Sequence, residues 1–332
     1  MPLLRRLTLL CAALTTAAPL LAAEVVVYSA RNEQLIKPVF DAYTQATGVK
    51  VNFITDKEAP LLTRLQQEGA SSPADLLLTV DAGNLWQAAE QGLLQPVQSK
   101  ALDAAVPAHL RDPDNRWFGL SVRARTLFFN PSLTSADQLS SYEALAEPKW
   151  QGKLCLRSSK KVYNQSLVAM MIAAHGEEKT ESVVKGWVAN LAAPPFADDT
   201  KLLEAIAAGQ CAVGIANTYY YGRLLAKKPE LPVKLFWANQ ASDGTHVNIA
   251  GAGLTRHAPH RDEAVKLLEW LASPAAQNLF VDANYEYPVN PQVAPATTVQ
   301  GWGEYKANLL NVATAGQLQA AAVKLMDRAG YK

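Results

Sequence analysis

The stretch Cys211-Ala-Val-Gly-Ile-Ala216, followed by Asn217-Thr-Tyr-Tyr-Tyr221, decides the fold of this chain. The apolar run is typical of a buried strand in a parallel sheet, and Asn217-Thr218 is typical of a helix start. Because ligands bind beyond the carboxyl ends of such strands, the three tyrosines are predicted to face a binding crevice. Packing is the alternative for any one of them, but three neighbours on one helix cannot all face one core.

Strands and helices alternate along the rest of the chain. These βα units predict an α/β fold with a parallel-rich sheet and helices on both of its faces. Two long extended stretches, residues 122–129 and 246–254, are predicted to cross between two lobes. Predicted strands cover residues 25–28, 49–54, 74–80, 117–129, 233–238 and 247–254, and predicted helices cover residues 32–47, 59–68, 81–91, 164–175, 200–209, 261–273 and 317–328.

The length of the chain suits two domains of about 150 residues each. The crossovers assign residues 24–122 and 247–296 to a first lobe. Residues 123–246 and 297–332 then form a second lobe, which carries all the tyrosines of the opening stretch. Two lobes joined in this way are expected to open and close about a hinge.

The N-terminus has the pattern of a secretory signal peptide. Two arginines precede an apolar stretch over residues 7–21, and small residues follow up to Ala23, where cleavage is predicted. The stretch is too short for a stable membrane span. Lipidation at Cys11 is the alternative, but that modification needs a small residue before the cysteine, where this chain has Leu10.

Charge and motif content exclude several classes of function. Cleavage would leave 29 basic residues of the 31, against 30 acidic ones, which argues against a nucleic-acid or membrane-surface partner. We expect a monomer without enzymatic activity. The stretch Ser158-Ser-Lys-Lys161 begins like a serine acylase signature, but no K-T-G follows it. The five histidines are scattered and lack the helical spacing of metal ligands.

Two cysteines lie beyond the predicted signal peptide, Cys155 and Cys211. An exported pair in an oxidising compartment is more often a disulfide than two free thiols. Each cysteine precedes a tyrosine by eight positions, Tyr163 and Tyr219 respectively. A bridge would therefore fix two tyrosine-bearing segments relative to each other.

The chain carries five motifs, which are Tyr28-Ser-Ala-Arg31, Gly119-Leu-Ser-Val-Arg-Ala-Arg125, Arg157-Ser-Ser159, Tyr163-Asn-Gln-Ser-Leu167 and Asn217-Thr-Tyr-Tyr220. They resemble those of the periplasmic ferric-ion-binding proteins, and the resemblance runs from about Glu24 to the C-terminus. It implies a two-lobed periplasmic-binding-protein fold and a receptor that delivers Fe³⁺ to an inner-membrane ABC permease. It also implies that the phenolates of Tyr163, Tyr219 and Tyr220 bind the metal, whereas Tyr221 packs.

The chemistry of the ion agrees with this ligand set. Fe³⁺ is small and highly charged and prefers anionic oxygen. A phenol with a pKa of about 10 is protonated at neutral pH, but a trivalent ion at bonding distance reverses that preference. Three phenolates would cancel three positive charges. Metal uptake would then release protons, and acid would oppose it.

Three ligands leave the coordination of an octahedral ion incomplete. The resemblance implies that a synergistic anion, carbonate-like in kind, fills the remaining positions. Arg31 and Arg123 match arginines near that anion, and Arg125 is the alternative because it shares a strand face with Arg123. A guanidinium fork suits a planar carbonate. Ser158 and Ser159, at a helix start, could also donate to it.

The first lobe departs from the family pattern. Many relatives carry a His-Tyr pair after Tyr-Ser-x-Arg, where this chain has Asn32-Glu33. Glu33 is a candidate metal ligand, but Asn32 as a helix N-cap, with Glu33 in the first turn, is the preferred interpretation. Glu58 is a weaker candidate ligand. The alternative function is a receptor for an organic or phosphate-bearing anion, with the tyrosines as stacking walls.

Overall fold

A computed structural model describes residues 23–332, so the predicted signal peptide and Cys11 lie outside the described residues, apart from Ala23. The described chain forms a mixed sheet surrounded by helices. Its strands are β1 Glu24–Ser29, β2 Lys50–Thr55, β3 Leu76–Thr79, β4 Leu94–Gln95, β5 Phe118–Phe129, β6 Leu154–Cys155, β7 Val213–Asn217, β8 Lys234–Phe236, β9 Val247–Thr255 and β10 Tyr287–Pro288.

The helices cover the two faces of this sheet and follow the strands closely in sequence. They are α1 Glu33–Thr47, α2 Glu58–Glu68, α3 Ala82–Glu90, α4 Lys100–Ala105, α5 Val162–His175, α6 Glu177–Ala189, α7 Asp199–Ala207, α8 Thr218–Lys227, α9 Arg261–Ala272, α10 Pro274–Asn284, α11 Thr297–Gln300, α12 Thr314–Gln317 and α13 Gln319–Arg328. Short 3-10 turns lie at Gly69–Ser71, Ala108–Leu110, Ala136–Gln138, Glu143–Ala146 and Pro148–Trp150. Within residues 23–332, no helix has the length and apolar character to cross a membrane.

The strand order is β2-β1-β3-β9-β5-β7-β6. The pairs β1–β2, β1–β3 and β6–β7 are parallel, as the βα pattern predicts. The two long strands β5 and β9 pair with each other, and with β7 and β3 respectively, in antiparallel fashion. The prediction of a parallel-rich sheet is therefore wrong at its centre, because the two crossover strands run in opposite directions there.

Every residue of β5 and of β9 is buried, because these strands pass between two cores. One core draws its buried residues from 25–124, 247–289 and 312–313. The other core consists of two clusters drawn from 127–238 and 322–331. The exact lobe boundaries stay a prediction, although residues 312–313 pack in the first core rather than with the second.

The disulfide prediction is confirmed. Cys155, at the end of β6, is bridged to Cys211, two residues before β7, with a Cα–Cα distance of 5.9 Å. The two strands approach closely because Gly214 has no side chain; a Cβ there would lie 2.8 Å from the carbonyl oxygen of Cys155. The bridge therefore joins the segments that lead into α5 and α8.

Candidate functional site

Three phenols line one cavity of about 460 Å³. Tyr163 lies in the first turn of α5, and Tyr219 and Tyr220 lie in the first turn of α8, directly after β7. Helix α8 begins directly at the end of the buried strand β7, and α5 follows β6 after a short loop over residues 156–161. The rings of Tyr219 and Tyr220 are 4.3 Å apart, centre to centre.

The neighbouring Tyr221 faces the opposite way. Its hydroxyl donates to the carbonyl oxygen of Val233 at 3.0 Å, and its ring packs against Phe128 at 5.1 Å. One step along a helix turns a side chain by about 100°, so adjacent tyrosines face different surroundings. The structure thus places Tyr221 in the core.

Burial governs the protonation of the phenols. It raises the pKa of the Tyr163 phenol, and the nearby Tyr220 phenol raises it further. Burial also raises the pKa of Tyr219, followed by the effects of Tyr163 and Tyr220. Tyr163 and Tyr219 therefore stay neutral in the metal-free cavity, and a strongly bound cation would be needed to convert them to phenolates.

Positive side chains surround the rings. The Lys161 ammonium lies 4.6 Å from the ring centre of Tyr163, and the Arg223 guanidinium lies 4.9 Å from that of Tyr219. Arg157 Nη1 donates to the Tyr220 hydroxyl at 3.4 Å. These cations stabilise phenolate charge. Sequence reasoning assigned none of the three a role. The spacing of Arg223, four residues after Tyr219 on one helix, could have indicated that these two side chains are neighbours.

Arg123 lines the cavity with one free donor. Its Nη2 donates to Asp81 Oδ2 at 2.9 Å, and its guanidinium lies 5.4 Å from the ring centre of Tyr163. Its Nη1 is buried and has no hydrogen-bond partner among the described residues. Buried donors are rarely left unpaired, so this nitrogen is available to a bound anion.

The carboxylate of Asp81 joins four elements. It receives hydrogen bonds from Arg123 on β5, Asn248 on β9, Ser166 on α5 and the backbone of Gly83 on α3, at distances of 2.9–3.0 Å. The side chain is fully buried. Sequence reasoning identified Asp81 only as a helix start, because its other partners are distant in sequence.

Arg31 also lines the cavity but is already paired. Its guanidinium forms an ion pair with the buried Glu286, and its Nη1 donates weakly to Ser121 Oγ at 3.4 Å. The ring of Phe280 lies 5.5 Å from the guanidinium carbon. Its Nε is buried without a hydrogen-bond partner among the described residues, as Arg123 Nη1 is. Because Nε carries one N–H and Nη1 carries two, Arg31 keeps less donor capacity than Arg123.

Arg125, the predicted alternative anion partner, has its donors engaged within the protein. Its five N–H groups are directed at Asn164 Oδ1, Asp199 Oδ2, Asn217 Oδ1 and the carbonyl oxygen of Ile215. The residue is only 2% exposed and does not line the large cavity. Arg125 shares a strand face with Arg123, but its hydrogen bonds hold neighbouring elements of the protein together instead of facing the cavity.

Other predicted site residues lie outside the cavity lining. Ser158 and Ser159 precede α5 without facing the cavity, and Glu33 is exposed in the first turn of α1. Asn32 is the N-cap residue of α1 and Glu33 lies in its first turn, as the preferred interpretation has it, but the Asn32 side chain makes no cap hydrogen bond. Glu58, by contrast, lines the cavity from the first turn of α2.

The described residues contain no group of three or more His, Cys, Asp or Glu side chains that could hold a metal ion. The phenols and carboxylates that line the cavity are the three tyrosines together with Asp56, Glu58 and Glu286, the last of which is paired with Arg31. Hard oxygen ligands of this kind suit a highly charged cation.

Two cores joined by a pair of crossover strands, with a ligand-sized cavity lined by both, define a receptor that binds a small solute rather than an enzyme. The chain belongs to the family of bacterial extracellular solute-binding proteins, whose sequence model matches residues 71–301. The two-lobed periplasmic-binding-protein fold is thereby confirmed, as is the expectation of a receptor without catalytic activity.

The chain is similar to several iron-related proteins. It is 44% identical over 315 residues to iron uptake protein A1 of Synechocystis sp., covering 93% of this chain and 88% of that protein. The structure of Trichodesmium IdiA (FutA) in complex with iron and citrate ligands superposes with a TM-score of 0.90 at 45% identity, covering 93% of this chain and all of the other. The Bordetella ferric binding protein gives a TM-score of 0.86 at 41% identity, with 93% and 99% covered.

Proposed function

We propose that this protein is a periplasmic receptor for ferric iron that delivers its cargo to an inner-membrane ABC permease. The observation that carries the proposal is the convergence of three phenols, from Tyr163, Tyr219 and Tyr220, on one cavity. The names and ligands of its relatives support the same cargo. A signal peptide would direct export and would be cleaved near Ala23.

In the proposed complex, the three phenolates bind Fe³⁺ and neutralise its charge. Each phenol loses its proton on binding, so uptake is favoured by rising pH and opposed by acid. Lys161, Arg157 and Arg223 lie against the rings and stabilise the anionic oxygens. Their charge also leaves the site able to accept a further anion.

We assign the synergistic anion, with carbonate as our candidate, to the free Nη1 of Arg123. That nitrogen is a buried donor without a partner in the described chain, beside Tyr163. An anion there would satisfy the donor and complete the coordination of the metal. Arg31 is a second contact of lower capacity because Glu286 already holds it.

The first lobe contributes Glu58 as the candidate for a further oxygen ligand, in place of Glu33. Glu58 lines the cavity and is half-buried, whereas Glu33 is exposed and lies outside the lining. Closure of the two lobes, with boundaries near residues 122 and 247, would bring this carboxylate toward the tyrosines. Opening would release the cargo to the permease.

A spectrum of the purified protein tests the proposal. Metal-free protein is titrated with ferric nitrilotriacetate in the presence and absence of bicarbonate, and bound iron is counted after desalting. We expect one iron per chain and a visible charge-transfer band from phenolate to Fe³⁺. Colourless protein that retains an organic or phosphate-bearing anion would instead favour the alternative receptor function.

A further inference from the structure

We infer that Arg125 and Asn217 act as a positioning pair for Tyr219. In this arrangement, Arg125 fixes the side-chain amide of Asn217 so that its Nδ2 donates a hydrogen bond to the phenolate oxygen of Tyr219. The inference rests on the proposed function, because it concerns one of the proposed iron ligands. It adds a role for two residues that do not contact the metal.

The orientation of the Asn217 amide follows from the chemistry of its neighbour. Arg125 Nη1 lies 3.0 Å from Asn217 Oδ1, and a guanidinium can only donate, so an oxygen must face it. The amide nitrogen is then directed to the other side, where it lies 3.3 Å from the Tyr219 hydroxyl oxygen. A flipped amide would place two donors against each other.

The backbone fixes Asn217 as well. It is the last residue of β7 and pairs with Arg125 across the β5–β7 ladder. Its backbone N–H donates to Asp199 Oδ2 at 3.1 Å, and the same oxygen accepts from Arg125 Nη1 at 2.9 Å. Asn217 is 1% exposed. Neither its backbone nor its amide has room to turn away from Tyr219.

Arg125 is itself immobilised on its other side. Its Nε and Nη2 donate to Asn164 Oδ1 at 3.1 and 2.7 Å, and Nη2 also donates to the carbonyl oxygen of Ile215 at 3.2 Å. Asn164 belongs to α5, the helix that carries Tyr163. A single guanidinium thus holds the strand before Tyr219 against the helix that carries Tyr163.

The oriented donor has a direct effect on the metal bond. A hydrogen bond to the phenolate oxygen occupies one lone-pair direction and leaves the others for the cation. It also withdraws electron density from the oxygen, which lowers the energy of the orbital that donates charge to Fe³⁺. Loss of the donor should therefore move the charge-transfer band to longer wavelength.

The test uses two substitutions of the same residue. Asn217→Ala removes the donor, and Asn217→Asp keeps the shape of the side chain but, when ionised, can only accept. For both variants we expect iron affinity about 10–100-fold below wild type, the usual effect of losing a group that orients a metal ligand. We also expect the band at longer wavelength. If the Asn217→Ala variant does not fold, the Asn217→Asp variant alone tests the positioning role.

Asn190→Asp is the matched control. Asn190 is also a buried amide in the same half of the molecule, but its Nδ2 donates to the carbonyl oxygens of Leu145 and Glu147. Its replacement should lower thermal stability without moving the band or the affinity. Arg125→Lys keeps a charge beside Asp199 and loses the fork, so its band should shift in the same direction as that of the Asn217 variants.

The outcomes separate this inference from the proposed function. Wild-type protein with a band, together with Asn217 variants of unchanged band and affinity, would overturn the positioning role alone. Wild-type protein without iron or colour would overturn both. A shifted band in the Asn217 variants, with the Asn190 control unmoved, is the result that supports the pair.

Discussion

Tyr219, Tyr220 and Tyr221 are identical side chains with different surroundings. Tyr219 is held by Asn217, Tyr220 receives a hydrogen bond from Arg157, and the hydroxyl of Tyr221 is engaged by a backbone carbonyl in the core. The direction in which each side chain leaves α8 decides between ligand and packing roles. Removing each hydroxyl separately therefore tests which tyrosines are ligands and which one packs.

Tyr219→Phe and Tyr220→Phe are each expected to abolish or strongly weaken iron binding without unfolding the protein. Phenylalanine keeps the ring and its packing but removes the oxygen that would bind Fe³⁺. Titration with ferric nitrilotriacetate, followed by the visible band, measures the effect. Tyr221→Phe is the control and should bind iron as wild type does. Normal stoichiometry in both cavity variants would contradict the ligand assignment.

Arg123→Lys is expected to bind iron more weakly and to lose much of its response to added bicarbonate. Lysine keeps the positive charge but loses the fork that can hold Asp81 with one nitrogen and an anion with another. The measurement is the iron affinity with and without bicarbonate. An unchanged bicarbonate response in this variant would move the anion to Arg31, the remaining candidate arginine of the cavity.

The sequence predicted the residues of the cavity better than their contacts. The three tyrosines and Arg123 line it as the motifs indicate, whereas Arg125 does not line it. Alternation along a strand shows which residues share a face, but it does not show which carboxylates and amides the fold brings against that face. Asp199, which pairs with Arg125, is 74 positions away in sequence.

At the scale of elements, the strand–helix alternation predicted most of the regular structure from local pattern alone. The observed strand β1 and helices α1, α2 and α3 agree with the predicted ranges to within a residue or two. The antiparallel pairing of β5 with β9 was missed because register between distant strands depends on tertiary packing. Helix α6 was also missed, because its sequence mixes charged residues with few apolar ones.

The disulfide ties the two tyrosine-bearing segments together, and its loss should be measurable. It closes a loop with a sequence separation of 56. In the chain-entropy model, a loop of this size stabilises the fold by roughly 3–5 kcal/mol. We expect the free energy of unfolding of the Cys155→Ala/Cys211→Ala variant to be lower by that amount, and its denaturant midpoint to be lower accordingly.

Thiol counting on unreduced, unfolded wild-type protein is the companion measurement to this unfolding experiment. It should find no reactive thiol from Cys155 or Cys211. Two titratable thiols per mature chain, or an unchanged unfolding midpoint in the double variant, would contradict the stabilising role of the bridge.

At the scale of the whole molecule, buried phenols make the metal-free protein sensitive to alkali. Burial raises the pKa of Tyr163, Tyr219, Tyr142 and Tyr287 above their usual value of about 10. The folded state therefore keeps protons that the unfolded state loses. The stabilisation that these retained protons give the folded state is fully present below a pH of about 10 and is lost as the pH rises further.

Unfolding free energies of the metal-free protein from pH 7 to pH 11 would show this dependence as a decline above pH of about 10. Tyr287→Phe offers a matched variant, because the Tyr287 hydroxyl is buried without a hydrogen-bond partner in the described chain. Its stability at neutral pH should be retained, while its alkaline decline should be smaller. A flat profile up to pH 11 would contradict the expectation.

The carboxylate of Asp81 has a consequence for motion. It is bonded to both crossover strands, to α3 and to α5, so it is attached to both halves of the molecule at once. In the proposed hinge motion, a group bonded to both halves would lie near the rotation axis and would be displaced least. The residues at the cavity rim lie farther from Asp81, so a small rotation about this carboxylate would produce a larger displacement where an ion enters or leaves.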